Sequence, residues 1–160
     1  MESTIQPKIK HRTFRYHTQL DWAGGRAGNL SGNEKPSFRV ASPPEFKGEA
    51  GVWTPEDLFI ASVEICTMTT FLAFAQRLGL PLASYTSNAE GTLEFVDGGY
   101  EFTKIVVRPT VVISSHDLTP QVEQALHDAH KSCLIANSMK AEVVIEPSII
   151  VQEAEATLPA

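Results

Sequence analysis

One run of residues, Val52 to Gly79 (V-W-T-P-E-D-L-F-I-A-S-V-E-I-C-T-M-T-T-F-L-A-F-A-Q-R-L-G), constrains the fold more than any other. It opens as a helix should. Thr54 suits the N-cap, Pro55 the first helical position, and Asp57 completes a Thr-x-x-Asp capping box. Glu56 and Asp57 place negative charge where the helix dipole favours it. It closes with Arg77 in the last turn, Gly79 just past it and Pro81 beyond. Between these ends the residues are apolar on nearly every side, which means burial or a membrane. Glu64, Ser62 and the Thr67, Thr69, Thr70 cluster argue against a span. The sequence therefore predicts a long buried central helix with Cys66 near its middle.

A chain of 160 residues is long enough for one domain with a core of its own. The expected single domain covers residues 1–160, with loose tails at 1–7 and 152–160. A formal net charge of −6 argues against a nucleic-acid or anionic-membrane binder. Met1 to Arg15 is polar and locally basic, without the apolar centre of a signal peptide, so a cytoplasmic location is expected. Thiols stay reduced there, and Cys66 and Cys133 are then packing or redox groups.

Lys8 to Leu20 alternates and reads as a strand exposed on one side. Asp21 to Gly28 reads as a turn with Arg26 at its tip. Asn29 to Val40 is a second extended stretch, broken at Gly32 to Pro36. Past the central helix, Ala83 to Val96 and Tyr100 to Ser114 form a hairpin about Asp97-Gly98-Gly99. Pro109 requires a bulge or an edge within it. Thr119-Pro120 opens a second helix, with Val122, Ala125, Leu126 and Ala129 as its apolar stripe and Cys133 at or just past its end. Glu142 to Val151 closes as a strand. The order is α+β. The central helix carries more apolar surface than one small sheet and one amphipathic helix cover, so a second copy is expected on it as a homodimer.

Four chemical readings compete. Cys66 has Ser62, Val63, Thr69 and Thr70 one turn away. A cysteine there is a small buried hydrophobe by default, although three hydroxyls are more polar than a dry core needs. His127, His130 and Cys133 recur every third residue, but i, i+3, i+6 spans about 9 Å of helix axis. That is too long for ligands held about 2 Å from one zinc ion. Gly24-Gly25-Arg26 lacks the strand-to-helix context of a dinucleotide loop. Ser114-Ser115-His116-Asp117 reads as a polar loop rather than a triad, whose members are gathered by the fold.

Gly25-Arg26, then Thr54-Pro55-Glu56-Asp57-Leu58-Phe59, then Cys66 ten residues after Glu56, then Ala129-His130-x-x-Cys133 with Asn137, stand in one order. This arrangement resembles the OsmC/Ohr family of osmotically inducible and organic hydroperoxide resistance proteins, over about residues 10 to 151. The resemblance implies an OsmC-like fold, with curved antiparallel sheets around a long buried central helix in an intertwined homodimer. It implies a cysteine-based, thiol-dependent peroxidase for organic hydroperoxides that uses no metal, haem or flavin and takes electrons from an external dithiol, lipoyl groups among them. By motif, Cys66 is the peroxidatic cysteine and Cys133 the resolving one. Arg26 stands by the thiolate, and Glu56 holds Arg26. Leu134 stands where the family has proline and Thr54 where the hydroperoxide branch has asparagine, and Arg39 is a second arginine candidate. Other readings are the same fold binding a small apolar ligand at the dimer interface, or another dimeric enzyme such as a thioesterase, with Glu64 as its interior base.

One point follows from helix geometry. Ten residues of regular helix separate Glu56 from Cys66 by about 15 Å along the axis. Glu56 is therefore expected to reach the partner's cysteine rather than its own.

Overall fold

The computed structural model describes residues 11–152. They fall into two compact units that meet between Pro55 and Glu56.

The N-terminal unit is an antiparallel three-stranded meander, β1 (Gln19–Trp22), β2 (Ala27–Gly32) and β3 (Lys35–Ala41). Strand β1 is shorter than the alternation from Lys8 suggests. Residues 11–18 are not in regular structure, and Lys8 to Lys10 lie outside the described residues. The β1–β2 turn needs left-handed backbone at Gly24 (φ 95°) and Gly25 (φ 52°), which glycine adopts without steric cost. Arg26 follows directly, at the end of that turn.

The C-terminal unit is built on helix α1 (Pro55–Leu78) and the long hairpin β4 (Leu82–Val96) and β5 (Gly99–Ile113). Asp97 and Gly98 both have positive φ, 48° and 92°, the backbone of a tight hairpin turn whose twist matches the strands. Helix α1 ends in a Schellman motif. Leu80 N–H bonds Ala75 O at 2.9 Å and Gly79 N–H bonds Gln76 O at 3.1 Å, with Gly79 left-handed. Helix α2 (Thr119–Ser132) follows, then β6 (Glu142–Ile145) and β7 (Ser148–Val151).

The closing strand is thus two strands, parted at Glu146-Pro147, and both run parallel to β5. The expectation of antiparallel sheets holds for the β1–β3 meander and the β4–β5 hairpin and fails here, because α2 carries the chain back to the start of β5. Strand β6 pairs with Lys104 to Val107 and β7 with Thr110 to Ile113. Pro109 lies in the gap between them. Val107 O accepts from Glu146 N–H on the β6 side, and residues two apart in a strand turn their backbone the same way. The missing N–H of Pro109 therefore faces the gap, a local edge inside a central strand, while the two register shifts of the hairpin lie elsewhere.

Ile105, Val107, Val111 and Ile113 of β5 are fully buried beneath the two helices. All four stripe residues of α2 are buried with them. The cap of α2 differs from the expectation. Thr119 is already helical, and Ser115 caps a preceding 3-10 turn (His116–Leu118), its Oγ accepting from Asp117 N–H. Helix α1 buries one stripe, Val63, Cys66, Thr67, Phe71 and Ala75. It is not buried all round in the single chain, since Ile65 is 58% and Leu78 53% exposed. It is long and apolar enough to cross a membrane by composition, yet its buried stripe packs on β5 and α2.

Candidate active site

The buried side of α1 meets two apolar clusters. Phe71 and Ala75 pack with β5 and α2. Val63 and Cys66 pack with Ile105, Val107, Cys133 and Ala141. The cysteines, 67 positions apart in sequence, are brought together by the path β4, β5, α2. Helix α2 ends at Cys133, whose backbone is extended (φ −67°, ψ 103°), and its thiol is delivered against Cys66. Both thiols are free and buried, with Cys66 8% exposed and Cys133 closed to solvent.

The two sulfurs are driven in opposite directions. Burial pushes the Cys66 thiol up, as it does any thiol that must ionise away from water. Hydrogen bonds from the Cys133 thiol, the Ile135 N–H, the Thr70 hydroxyl and the Leu134 N–H more than offset this and hold Cys66 below its ordinary value of 9.0. Cys133 is raised, first by burial and then by the hydrogen bond and charge of Cys66, against donation from the Ala136 and Ile135 N–H groups. Cys66 is therefore the sulfur that ionises first, and Cys133 the one that keeps its proton and donates it.

Of the hydroxyls near Cys66, only Thr70 serves it, with Oγ1 3.9 Å from Sγ. Ser62 donates to Phe59 O and Thr69 to Ile65 O and Cys66 O, the usual local satisfaction of hydroxyls in a helix. The amides of Leu134 and Ile135 are the donors that sequence reasoning missed. Backbone groups leave no compositional signal, and only the turn after Cys133 aims them. Glu64 accepts a 2.6 Å hydrogen bond from Ser87 of β4. Tyr85, also on β4, stacks on Phe71 at 5.6 Å.

Arg26 belongs to the N-terminal unit and Glu56 to the C-terminal one. Arg26 donates through Nη1 to Phe46 O. It lines an open groove of about 340 Å³ with Leu20, Trp22, Val40 and Pro55. Arg39, the other arginine candidate, is committed to a bidentate ion pair with Glu49, Nε to Oε2 at 2.8 Å and Nη2 to Oε1 at 2.5 Å. Glu56 stands on the first turn of α1, ten residues before Cys66 on the same continuous helix. Its Oε2 is buried and has no hydrogen-bond partner among the described residues. His127 and His130 line a separate shallow cavity between α2 and β6, with Glu123 and Val143, whereas Cys133 is in the buried cluster with Cys66.

Comparison with known proteins gives this arrangement a family. The OsmC-like protein family model matches residues 48–148, which include Glu56, Cys66 and Cys133 and begin after Arg26. An uncharacterized Bacillus subtilis protein, YmaD, is 25% identical over 137 residues, 82% of this chain and 90% of its own length. The peroxiredoxin OsmC of Escherichia coli is 26% identical over 101 residues, 63% of this chain and 69% of its own. Among solved structures, an OsmC-like protein of unknown function from Vibrio cholerae superposes with a TM-score of 0.77 at 29% identity, covering 84% of this chain and 99% of that one. An organic hydroperoxide resistance protein from Legionella pneumophila shares the fold, with a TM-score of 0.68 at 20% identity over 88% of this chain and 100% of that one. With the family model spanning the helix that carries Cys66 and the turn that carries Cys133, the chain belongs to the OsmC-like protein family.

Proposed function

We infer that this protein is a cysteine-based peroxidase of the reducing cytoplasm that reduces organic hydroperoxides at the expense of an external dithiol. The observation that carries the reading is the buried Cys66–Cys133 thiol pair, one sulfur biased toward thiolate and the other toward thiol. The relationship to a peroxiredoxin OsmC supports the same class of chemistry.

In the proposed cycle the Cys66 thiolate attacks the terminal oxygen of R–O–OH. The O–O bond breaks, Cys66 becomes a sulfenic acid, and the departing alkoxide takes a proton to become the alcohol. The Cys133 thiol then attacks the sulfenic sulfur, expelling water and forming a disulfide. A dithiol, such as a lipoyl group, reduces that bond by two exchange steps and is itself oxidised. No metal, haem or flavin enters the scheme. The apolar surroundings of Cys66 favour an alkyl hydroperoxide over hydrogen peroxide.

The working unit of this proposal is a homodimer. The exposed apolar side chains of α1, Phe59, Ile65, Leu72 and Leu78, form the kind of surface an isologous interface covers. The orphaned Glu56 Oε2 calls for a donor. Arg26 fills that role in the proposed site, held by Glu56 and facing the partner's Cys66, where its charge stabilises thiolate and leaving alkoxide. Arg39 is already engaged with Glu49.

The test is a free-thiol count with intact mass on reduced protein given one equivalent of an organic hydroperoxide. Loss of both thiols with a mass decrease of about two units supports the cycle. Thiols left untouched over hours refute it and favour a ligand-binding member of the fold.

A further inference from the structure

Helix α2 carries a second stripe beside its buried one. Glu123, His127 and His130 recur at i, i+4 and i+7, so each is one turn from the next on a single flank. All three line a cavity of about 350 Å³ between α2 and β6. Its apolar wall includes Leu126, Val143, Ile145 and Pro147. Val143 and Ile145 also pack on the cluster that holds Cys66 and Cys133, and Leu126 belongs to the neighbouring core cluster. The cavity is therefore backed by the packed interior.

Its polar side is short of positive charge. His130 Nδ1 is buried and has no hydrogen-bond partner among the described residues, a state that buried polar atoms rarely occupy. Glu123 is exposed and takes part in none of the ion pairs among the described residues. No lysine or arginine lines the cavity, and Glu146, next to Pro147, is paired with Arg108 at 2.9 Å. A metal ion does not fit. No three histidine, cysteine or carboxylate groups among the described residues are arranged to hold one, and seven residues of helix spread Glu123 and His130 over about 10 Å of axis.

We propose that this cavity binds a small organic monocation, a primary alkylammonium whose head lies at the imidazoles of His127 and His130 and whose chain lies on Leu126, Val143 and Ile145. An ammonium group brings three donors and no acceptor. A neutral imidazole nitrogen accepts one of them, which answers the orphaned Nδ1, and the Glu123 carboxylate one turn away adds attraction for the charge. A carboxylate-bearing molecule would meet Glu123 with like charge, and a plain hydrocarbon would leave Nδ1 unanswered. The volume is at the small end for ligand pockets, so the chain is short, on the order of six carbons.

Hexylamine, hexanol and hexanoate share one chain and differ in head group, so they separate charge from hydrophobicity. Each is titrated into the isotope-labelled full chain and followed by NMR, in mildly alkaline buffer where ordinary imidazole is neutral. Hexylamine is expected to shift, saturably, the amides of Glu123 to His130 and of Val143 to Ile145, together with the His130 ring. Hexanol is expected to bind at least tenfold more weakly and hexanoate not at all. His130→Phe keeps a flat ring and removes the nitrogen, and should weaken hexylamine at least tenfold. Glu123→Gln, at an exposed position, should weaken it about threefold. If the phenylalanine variant does not fold, the glutamine variant and the head-group series decide. Hexanol or hexanoate bound as tightly as hexylamine, shifts that map to another face, a titration that never saturates, or undiminished affinity in Glu123→Gln overturns the proposal. No readout involves a thiol or a peroxide, so the outcome is independent of the peroxidase reading.

Discussion

Replacing Cys133 separates two duties that the structure gives one sulfur. In the wild-type protein its thiol donates a hydrogen bond to Cys66 and, in the proposed cycle, resolves the sulfenic acid. Cys133→Ala abolishes both, whereas Cys133→Ser abolishes resolution and retains a donor. A hydrogen bond to a charged group is worth about 1.5–3 kcal/mol. A thiol is a weak donor, so the low end applies, which is about one pKa unit. The midpoint for alkylation of Cys66 is therefore expected below 9.0 in the wild type, about one unit higher in the alanine variant, and little changed in the serine variant. In folding, the depressed Cys66 contributes stability above its unfolded value of 9.0 and loses it as pH falls through the lower folded value. The raised Cys133 contributes fully below 9.0 and loses that as pH rises through its higher folded value. Urea midpoints should thus rise with pH in the interval just below 9.0 more steeply in the wild type than in the alanine variant. Given excess organic hydroperoxide, both variants should consume it without forming a disulfide and end with about sixteen or thirty-two mass units added at Cys66. An alanine variant with the wild-type alkylation midpoint would show that Cys133 is not the donor, and the reasoning from opposed thiols would fail.

Phe71→Ala removes a fully buried ring stacked on Tyr85 and should cost about 3–5 kcal/mol in chemical unfolding; a cost below 1 kcal/mol would contradict its place in the core. Gly91→Ala brings a methyl to 2.7 Å from Ile60 Cδ1 and 2.8 Å from Phe102 Cε1, and about 1–3 kcal/mol of overpacking should appear in the same assay. Ile65→Lys puts a charge on the exposed apolar side of α1. Sedimentation should report a dimer for the wild type and monomer for the variant if that face is the interface. Arg26→Gln should lower peroxide turnover at least tenfold, while Arg39→Gln, which breaks only the pair with Glu49, should leave turnover unchanged; equal effects would remove the distinction between the two arginines.

Signals confined to a few neighbouring residues were legible. The Gly79 stop of α1, the Asp97-Gly98 turn and the stripe of α2 all act within one or two turns of chain, and the structure has them. The OsmC/Ohr resemblance was legible too, because its motif residues are side chains. Pairing direction was not. Nothing in Glu142 to Val151 tells a strand that returns antiparallel from one brought back parallel over a helix, and the break at Glu146-Pro147 reads in sequence as a blemish in one strand. The Thr119 cap was displaced because Ser115 three-ten winds the chain one turn earlier. The donors at Cys66 are hidden for a further reason: Thr70 is one of several hydroxyls of equal promise near it in sequence, and amides carry no residue identity at all.

The partition of β5 has a kinetic corollary. Its hairpin partner β4 precedes it across a two-residue turn, so that ladder can zip early with little loop to close. Its other edge must wait for residues far down the chain, as the Arg108–Glu146 ion pair, 38 residues apart, marks. Contacts of that range are the slow ones in folding. Cys133 is carried on that returning arc, at the end of α2, and meets Cys66 only when α2 has packed on α1 and β5. On that ordering, α1 and the hairpin can pair before the groups that act on Cys66 have reached it. Reactivity is switched on by the arrival of the arc that carries Cys133, so the protein acquires its most oxidisable atom only when the cluster that buries it has closed.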